Sequence, residues 1–211
     1  MFSRRRIEIA AALALLLTLL ISAAYMRGAI KQQQDMAQKM VRLHVLANSD
    51  SEEDQRRKLL VKDAVFARTE ELLRTSGGQK EAVRSLQASL TELEQLAEQA
   101  LRADGQAENV TVTLTKSRFL TRYYDVFALP AGEYPSLRVS IGAGKGQNWW
   151  CVVFPPLCSA GQESFETAAK KAGLTEDEVA LIRSGEQQYL LRFRTLELLE
   201  RLCRFFSDGQ P

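Results

Sequence analysis

One histidine and three cysteines are the whole supply of imidazole and thiol groups in a chain of 211 residues. That scarcity excludes a multi-histidine metal centre, a four-cysteine zinc site and a disulfide-dense mini-fold. Charge of one sign is also missing. The 28 Lys+Arg residues meet 26 Asp+Glu residues for a formal charge of +2, which is no basis for a polybasic nucleic-acid binder. A hydrophobic content of 45% is too high for a disordered chain, and the length gives room for one domain or one and a half. Neither a cofactor nor a metal is expected.

What the chain does have is an asymmetric start. Arg4, Arg5 and Arg6 precede an uncharged run from Ile9 to Ala24 that ends in Ser22, Ala23 and Ala24. A positive start, an apolar middle and small residues resembling an A-x-A site make a secretory signal, and the positive-inside preference sends the downstream chain outward. A core helix is the alternative, but the run is apolar on every side. The segment is slightly long for a signal core and short of the roughly 20 residues a full span prefers. Cleavage after Ala24 by signal peptidase is the expectation, with a retained anchor touching the membrane through residues 9–24 as the other outcome. Removing Arg4, Arg5, Arg6 and Glu8 leaves 25 basic and 25 acidic residues, so the exported part is neutral.

The expected organisation is a signal or anchor at 1–24, a polar spacer at 25–39, one α+β domain at 40–206 and a frayed tail at 207–211. Val41, Leu43, Val45 and Ala47 alternate with Arg42, His44 and Leu46 as a strand with one face in the core. Ser49 with Glu52, or Ser51 with Asp54, fits a capping box opening a helix from about 52 to 74. Its apolar stripes are Leu59, Phe66 and Leu73, and Val61, Val65 and Leu72. Gly77-Gly78 breaks it, and a second helix over about 79–102 repeats Val83, Leu86, Leu90, Leu93, Ala97 and Ala100, which predicts an antiparallel helical hairpin. Strand patterns come next at Val110–Leu114, Tyr123–Leu129, Leu137–Ile141 and Asn148–Phe154, read as an antiparallel meander packed against that hairpin. Helices are expected over about 163–171, after Thr175 with its capping partner Glu178, and around Leu196 to Phe206. Tyr189, Leu191 and Phe193 suggest one more strand.

Four groups of residues invite a chemical interpretation. Gly142, Gly144, Lys145 and Gly146 resemble a phosphate loop, but a Walker loop needs Ser or Thr after the lysine and a helix behind it, and a glycine hairpin is the simpler reading. His44 and Cys151 could pair as base and nucleophile of an exported cysteine-type cell-wall hydrolase, yet each lies in a strand pattern that suits the core. Asp50, Asp54 and Asp63 cluster near the strand-to-helix corner, where capping and ion pairing account for them better than paired-acid catalysis. Cys151 and Cys158 flank Pro155-Pro156. A bridge between them would contribute about 2.5 kcal/mol in the chain-entropy treatment, and two buried thiols are the equal alternative, with Cys203 the third.

Two blocks carry a resemblance. Arg42 to Gln55, with Lys58-Leu59 and Val61 to Val65, form the first; Leu137 to Val139, Ile141-Gly142, Gly144 to Gly146 and Asn148 to Cys158 form the second. In that order and behind an export segment, they resemble the stage II sporulation protein R family from about Val41 to Cys158, with a weaker continuation around 189–202. The resemblance implies a developmental signal and not an enzyme. Such proteins are made in the forespore and exported into the space facing the mother cell. There they trigger a membrane-embedded aspartic protease that removes the inhibitory pro-sequence of the mother-cell sigma factor E. The surface expected to contact that protease is the Asn48–Asp54 corner (Asn48, Ser49, Asp50, Asp54) with the glycine segment leading to Lys145, Asn148, Trp149 and Trp150. A membrane-anchored structural adaptor is the remaining alternative.

Overall fold

The computed structural model describes residues 4–159 and 162–183, which divide into two compact units, Met1–Asp35 and Met36–Pro211. The first unit is the greater part of helix α1, Arg4–Ala37. Its apolar side chains are bare: Leu15 keeps 63% and Leu20 59% of their surface. Within α1, Arg6–Ala37 is long and apolar enough to cross a membrane, a property that signal sequences and anchors share. The helix does not stop at Ala24. Tyr25 to Ala37, expected as a spacer with nothing to bury, remain helical, and Met36 and Ala37 belong to the core of the second unit.

In that second unit β1 (Val41–Leu46) leads through the corner 47–51 into α2 (Glu52–Leu73), followed by α3 (Gln79–Ala88), α4 (Leu90–Ala103) and the long strand β2 (Val110–Phe119). The two-residue strands β3 (Arg122–Tyr123) and β4 (Ala128–Leu129) pair as a small hairpin where one extended stretch was expected. Then come β5 (Gly132–Ile141), β6 (Asn148–Phe154), α5 (Gln162–Lys171) and α6 (Glu176–Arg183). The α+β class and the leading apolar helix match the sequence-based expectation. The expected strand at 189–193, the last helix and the tail lie outside the described residues.

The sheet is not a meander. Its order is β2-β5-β1-β6, with β1 parallel to β5 and antiparallel to β6, so the expected antiparallel sheet is a mixed one. Because β1 is central and covered on both sides, all six of its residues are buried, Arg42 and His44 included. Leu43 and Val45 join Val61, Val65, Leu86, Leu93 and Leu101 under α2, α3 and α4. On the opposite face Met36, Met40, Phe119, Tyr134, Phe165 and Ile182 form a second cluster with α5 and α6. Each of the two clusters thus takes one side of the sheet.

Local signals mostly hold. The Ser51 hydroxyl accepts from the Asp54 N–H at 3.2 Å, and Thr175 and Glu178 exchange two such bonds at 2.7 and 3.2 Å. Two expectations need correction. The helix of 79–102 is broken at Ser89, whose N–H bonds Leu86 instead of continuing the ladder, giving α3 and α4. Leu59 is 45% exposed, because the buried face of α2 runs through Asp54, Arg57, Lys58, Val61, Val65 and Leu73. Arg57 and Lys58 take the place of Leu59 at the start of that face, while Val61, Val65 and Leu73 are buried and Phe66 and Leu72 pack against the core as expected.

Candidate functional site

The strand order creates a problem at one end of the sheet. Strands β5 and β6 are consecutive in sequence, yet β1 lies between them, so residues 142–147 must arch over the end of β1. This corrects the expected glycine hairpin. The glycines serve the close approach. A Cβ on Gly146 would sit 2.1 Å from the Ser49 carbonyl oxygen, and one on Gly142, whose φ is +53°, would sit 2.5 Å from Asn48 Oδ1.

Four backbone N–H groups of the arch are donated into the corner after β1. Ala143 donates to Asn48 Oδ1 at 2.9 Å, Lys145 to the Asn48 carbonyl at 3.2 Å, Gly146 to the Ala47 carbonyl at 2.9 Å and Gln147 to Asp50 Oδ1 at 2.7 Å. These are the donors a phosphate loop would hold toward its ligand, and here they are already used. The two blocks separated by some ninety residues of sequence therefore form one structural corner, which sequence spacing alone could not show.

Asp54 fastens the corner to α2. Its carboxylate accepts from Ser49 Oγ at 2.6 Å and Asn48 Nδ2 at 3.1 Å and lies 3.4 Å from Arg57 Nη1. The Ser49 hydroxyl, seconded by Asn48, Ser51 and Arg57, holds this carboxyl below the usual carboxylate range against the opposing effect of burial. Two contributors escaped sequence reasoning. Gln55 Nε2 donates to the Ser49 carbonyl at 2.9 Å, and Lys58 Nζ donates to the Gln147 carbonyl at 3.1 Å. Burial pushes the Lys58 ammonium down, with Asp50 opposing. Lys58 lies one turn beyond Asp54 on the same helix face and Gln55 directly follows Asp54, and their sequence signal was membership of the first resembling block rather than any sign of bracing.

Asp50, Lys145 and Asn148 are exposed on this corner, Asn48 and Ser49 are half-buried, and Asp54 is buried. Trp149 and Trp150 are half-buried on opposite faces of β6. Trp149 packs edge-on against Phe66, with Lys62 Nζ 5.1 Å from its ring centroid. Trp150 stacks on His44 at 3.7 Å and meets Phe119 at 4.9 Å. Asp63 stays outside the corner and pairs with Lys62. Asp50, Asp54 and Asp63 therefore have separate partners and form no acid pair.

The proposed base and nucleophile also part company. His44 faces Trp150 in the second cluster, whereas Cys151 lies beside Leu43 in the first, so β1 and β6 send the two side chains to opposite faces. His44 is held neutral. Burial, aided by Arg138, Arg42 and Arg122, lowers its pKa to about 4 against an opposing bond with Asn148. Stability should consequently fall as pH drops from 6.5 toward about 4, because in that window the unfolded chain binds a proton that folded His44 does not. The carboxyls of Asp54 and of Asp104, the latter held down by its hydrogen bond from Arg56, act lower, since their stabilisation is lost as pH falls from the ordinary carboxylate range toward their depressed values. Chemical unfolding of wild type and His44→Asn at pH 7, 5.5 and 4.5 checks this; equal pH dependence in the two proteins would contradict it.

Cys151 and Cys158 are both free, Cys151 buried and Cys158 exposed. Burial pushes the Cys151 thiol up, while its hydrogen bond to Cys158, with the Val152 N–H at 3.1 Å, draws the Cys158 thiol down. Iodoacetamide should therefore label Cys158 well ahead of Cys151 in the reduced protein, read by peptide mass mapping over time. Equal rates would contradict this account. Among the described residues no cluster of His, Cys, Asp and Glu could hold a metal ion.

With this geometry in place, the similarities to known proteins acquire a location. A family model described as Stage II sporulation protein R (spore_II_R) matches residues 37–164. Stage II sporulation protein R of Bacillus subtilis (strain 168) is 35% identical over 145 residues, 67% of this chain and 65% of that relative's length. The chain thus spans just under two thirds of the relative. No solved structure matches. The matched span holds both halves of the corner, from Asn48 through Trp150.

Proposed function

Because the chain belongs to the family of stage II sporulation protein R, we infer that it is an exported signal that binds and activates the membrane-embedded aspartic protease processing the mother-cell sigma-E precursor. Membership gives it a role in sporulation. The finer role is our reading, and the observation that carries it is the corner of 47–54 and 142–150. It is rigidly braced, lies wholly inside the family span and presents exposed polar groups without an assembled nucleophile and base. Such a surface suits recognition. The apolar helix supports export from the forespore toward the space between the two membranes.

Activation by binding requires a difference in affinity between two states of the protease. Moving it from about 1% to about 99% active takes roughly 10⁴-fold tighter binding to the active state, about 5.5 kcal/mol. Two charge-assisted hydrogen bonds, at about 1.5–3 kcal/mol each, together reach that scale when formed in one state only. Asp50 and Lys145 are the groups placed to make them, with Asn148 and the Trp149 and Trp150 rims beside them. Asn48, Ser49 and Asp54 hold those groups in position.

Reconstitution tests the reading. Co-expression of the full chain, the protease and the sigma-E precursor in a non-sporulating bacterium should yield processed sigma factor only when the chain retains its export segment. Processing that is equal with and without the chain would contradict it.

A further inference from the structure

The strand at the other edge of the sheet offers a second surface. The Val112 N–H donates to Glu94 Oε2 at 3.0 Å, so the even-numbered N–H groups of β2 point away from β5 and toward the open edge. Glu94 occupies that edge at Val112. Further along, the N–H groups of Leu114 and Lys116 meet no acceptor among the described residues. They border a groove of about 640 Å³ between α3 and β2, with Val83, Leu114 and Pro135 along its apolar part and Lys80, Arg84 and Lys116 around it. None of those three cations has an ion-pair partner among the described residues.

We propose that this groove docks an extended, acidic peptide segment of a partner protein, which adds to the sheet as a strand beside β2. Unpaired edge N–H and C=O groups at strand spacing are matched by another backbone, and alternate acidic side chains of that strand would reach Lys80, Arg84 and Lys116. The Glu94 carboxylate already shows what this edge accepts. A second copy of this chain fits poorly, because pairing β2 with β2 sets lysine-bearing edges against each other. The proposal is independent of the corner at the opposite side of the sheet.

The full chain in phosphatidylcholine nanodiscs, titrated with a fluorescent peptide of alternating Glu and Val, tests it. Binding should slow amide exchange at Leu114 and Lys116. Arg84→Glu should weaken binding by about tenfold or more, and a Lys-Val peptide should not bind. Lys116→Pro removes an outward donor that β5 does not use and should also abolish binding, provided its thermal unfolding matches wild type; Arg84→Glu carries the test if it does not. Equal binding of the Lys-Val peptide or unchanged affinity of Arg84→Glu would overturn the proposal. Protection of the two amides by phosphatidylglycerol alone would assign the groove to a lipid surface and overturn it as well.

Discussion

Alanine at Gly146 is expected to lower the stability of the folded unit by about 3 kcal/mol, at the upper end of what overpacking costs. The added methyl would lie 2.1 Å from the Ser49 carbonyl oxygen and 3.0 Å from Ala47 Cβ. Neither is the far end of a flexible side chain, so the arch must lift. Lifting it breaks the Lys145 and Gly146 bonds to the corner and moves Gln147 away from Asp50 and Lys58. Gly144→Ala is the informative control at a position with φ of +60°, since its nearest neighbour is Ser140 Cβ at 3.5 Å. It should cost about 1 kcal/mol from backbone strain alone. Urea unfolding of the two variants separates the effects, and a Gly146→Ala protein as stable as wild type would mean that the arch does not press on the corner as described.

The second large effect is functional. Reversing the exposed charges, Asp50→Lys together with Lys145→Glu, should abolish sigma-E precursor processing, with a fall of about 100-fold for a loss near 3 kcal/mol. The fold should survive. Lys145 contributes only its backbone N–H to the corner, and Asp50 one hydrogen bond to Gln147 besides its electrostatic support of Lys58. A cost of about 1 kcal/mol for that lost bond is expected. Two measurements are therefore needed, thermal unfolding and cleavage of the precursor. A stable double variant that supports full processing would remove the corner from the account of recognition.

Both predictions depend on a contact that the sequence displayed only in halves. Ser51 before Asp54 and Thr175 before Glu178 announced their helices, because a cap is local chemistry within four residues. Alternation in β1, β2 and β5 announced strands, and in β2 and β5 it announced the buried face, whereas both faces of β1 are buried. It did not announce partners, since a period of two is the same for parallel and antiparallel neighbours. Once β1 is inserted between β5 and β6, the buried state of Arg42 and His44 and the crowding at Gly142 and Gly146 arise together. Arg42 shows the limit most clearly. Its guanidinium lies 3.8 Å from the Phe119 ring centroid and donates to the Tyr124 hydroxyl at 2.9 Å, a cation sheltered by aromatic faces in place of the solvated side an alternating pattern suggests.

The candidate site divides along the same line. Asn48, Asp50, Lys145 and Asn148 were legible as residues of one expected contact surface, and the backbone hydrogen bonds that join its two segments were not. Lys58 and Gln55 were invisible as brace residues because a polar side chain on a helix reads as solvated until its long stem is seen to run inward. The break at Ser89 was hidden for the opposite reason: the apolar periodicity from Val83 to Ala97 continues across it. Two short helices can present one seam as well as a single long helix does.

The balanced charge of the chain beyond residue 24 bears on mechanism. Long-range steering contributes little when 25 basic and 25 acidic residues balance after the leading segment. Affinity must then come from local complementarity, as a braced corner with one exposed carboxylate and one exposed ammonium provides. The most direct measurement deletes the gene in its sporulating host and tracks the sigma-E precursor by immunoblot through sporulation. This account predicts that the precursor accumulates uncleaved and that the wild-type chain, but not the Asp50→Lys, Lys145→Glu variant, restores processing. Normal processing in the deletion strain would contradict it.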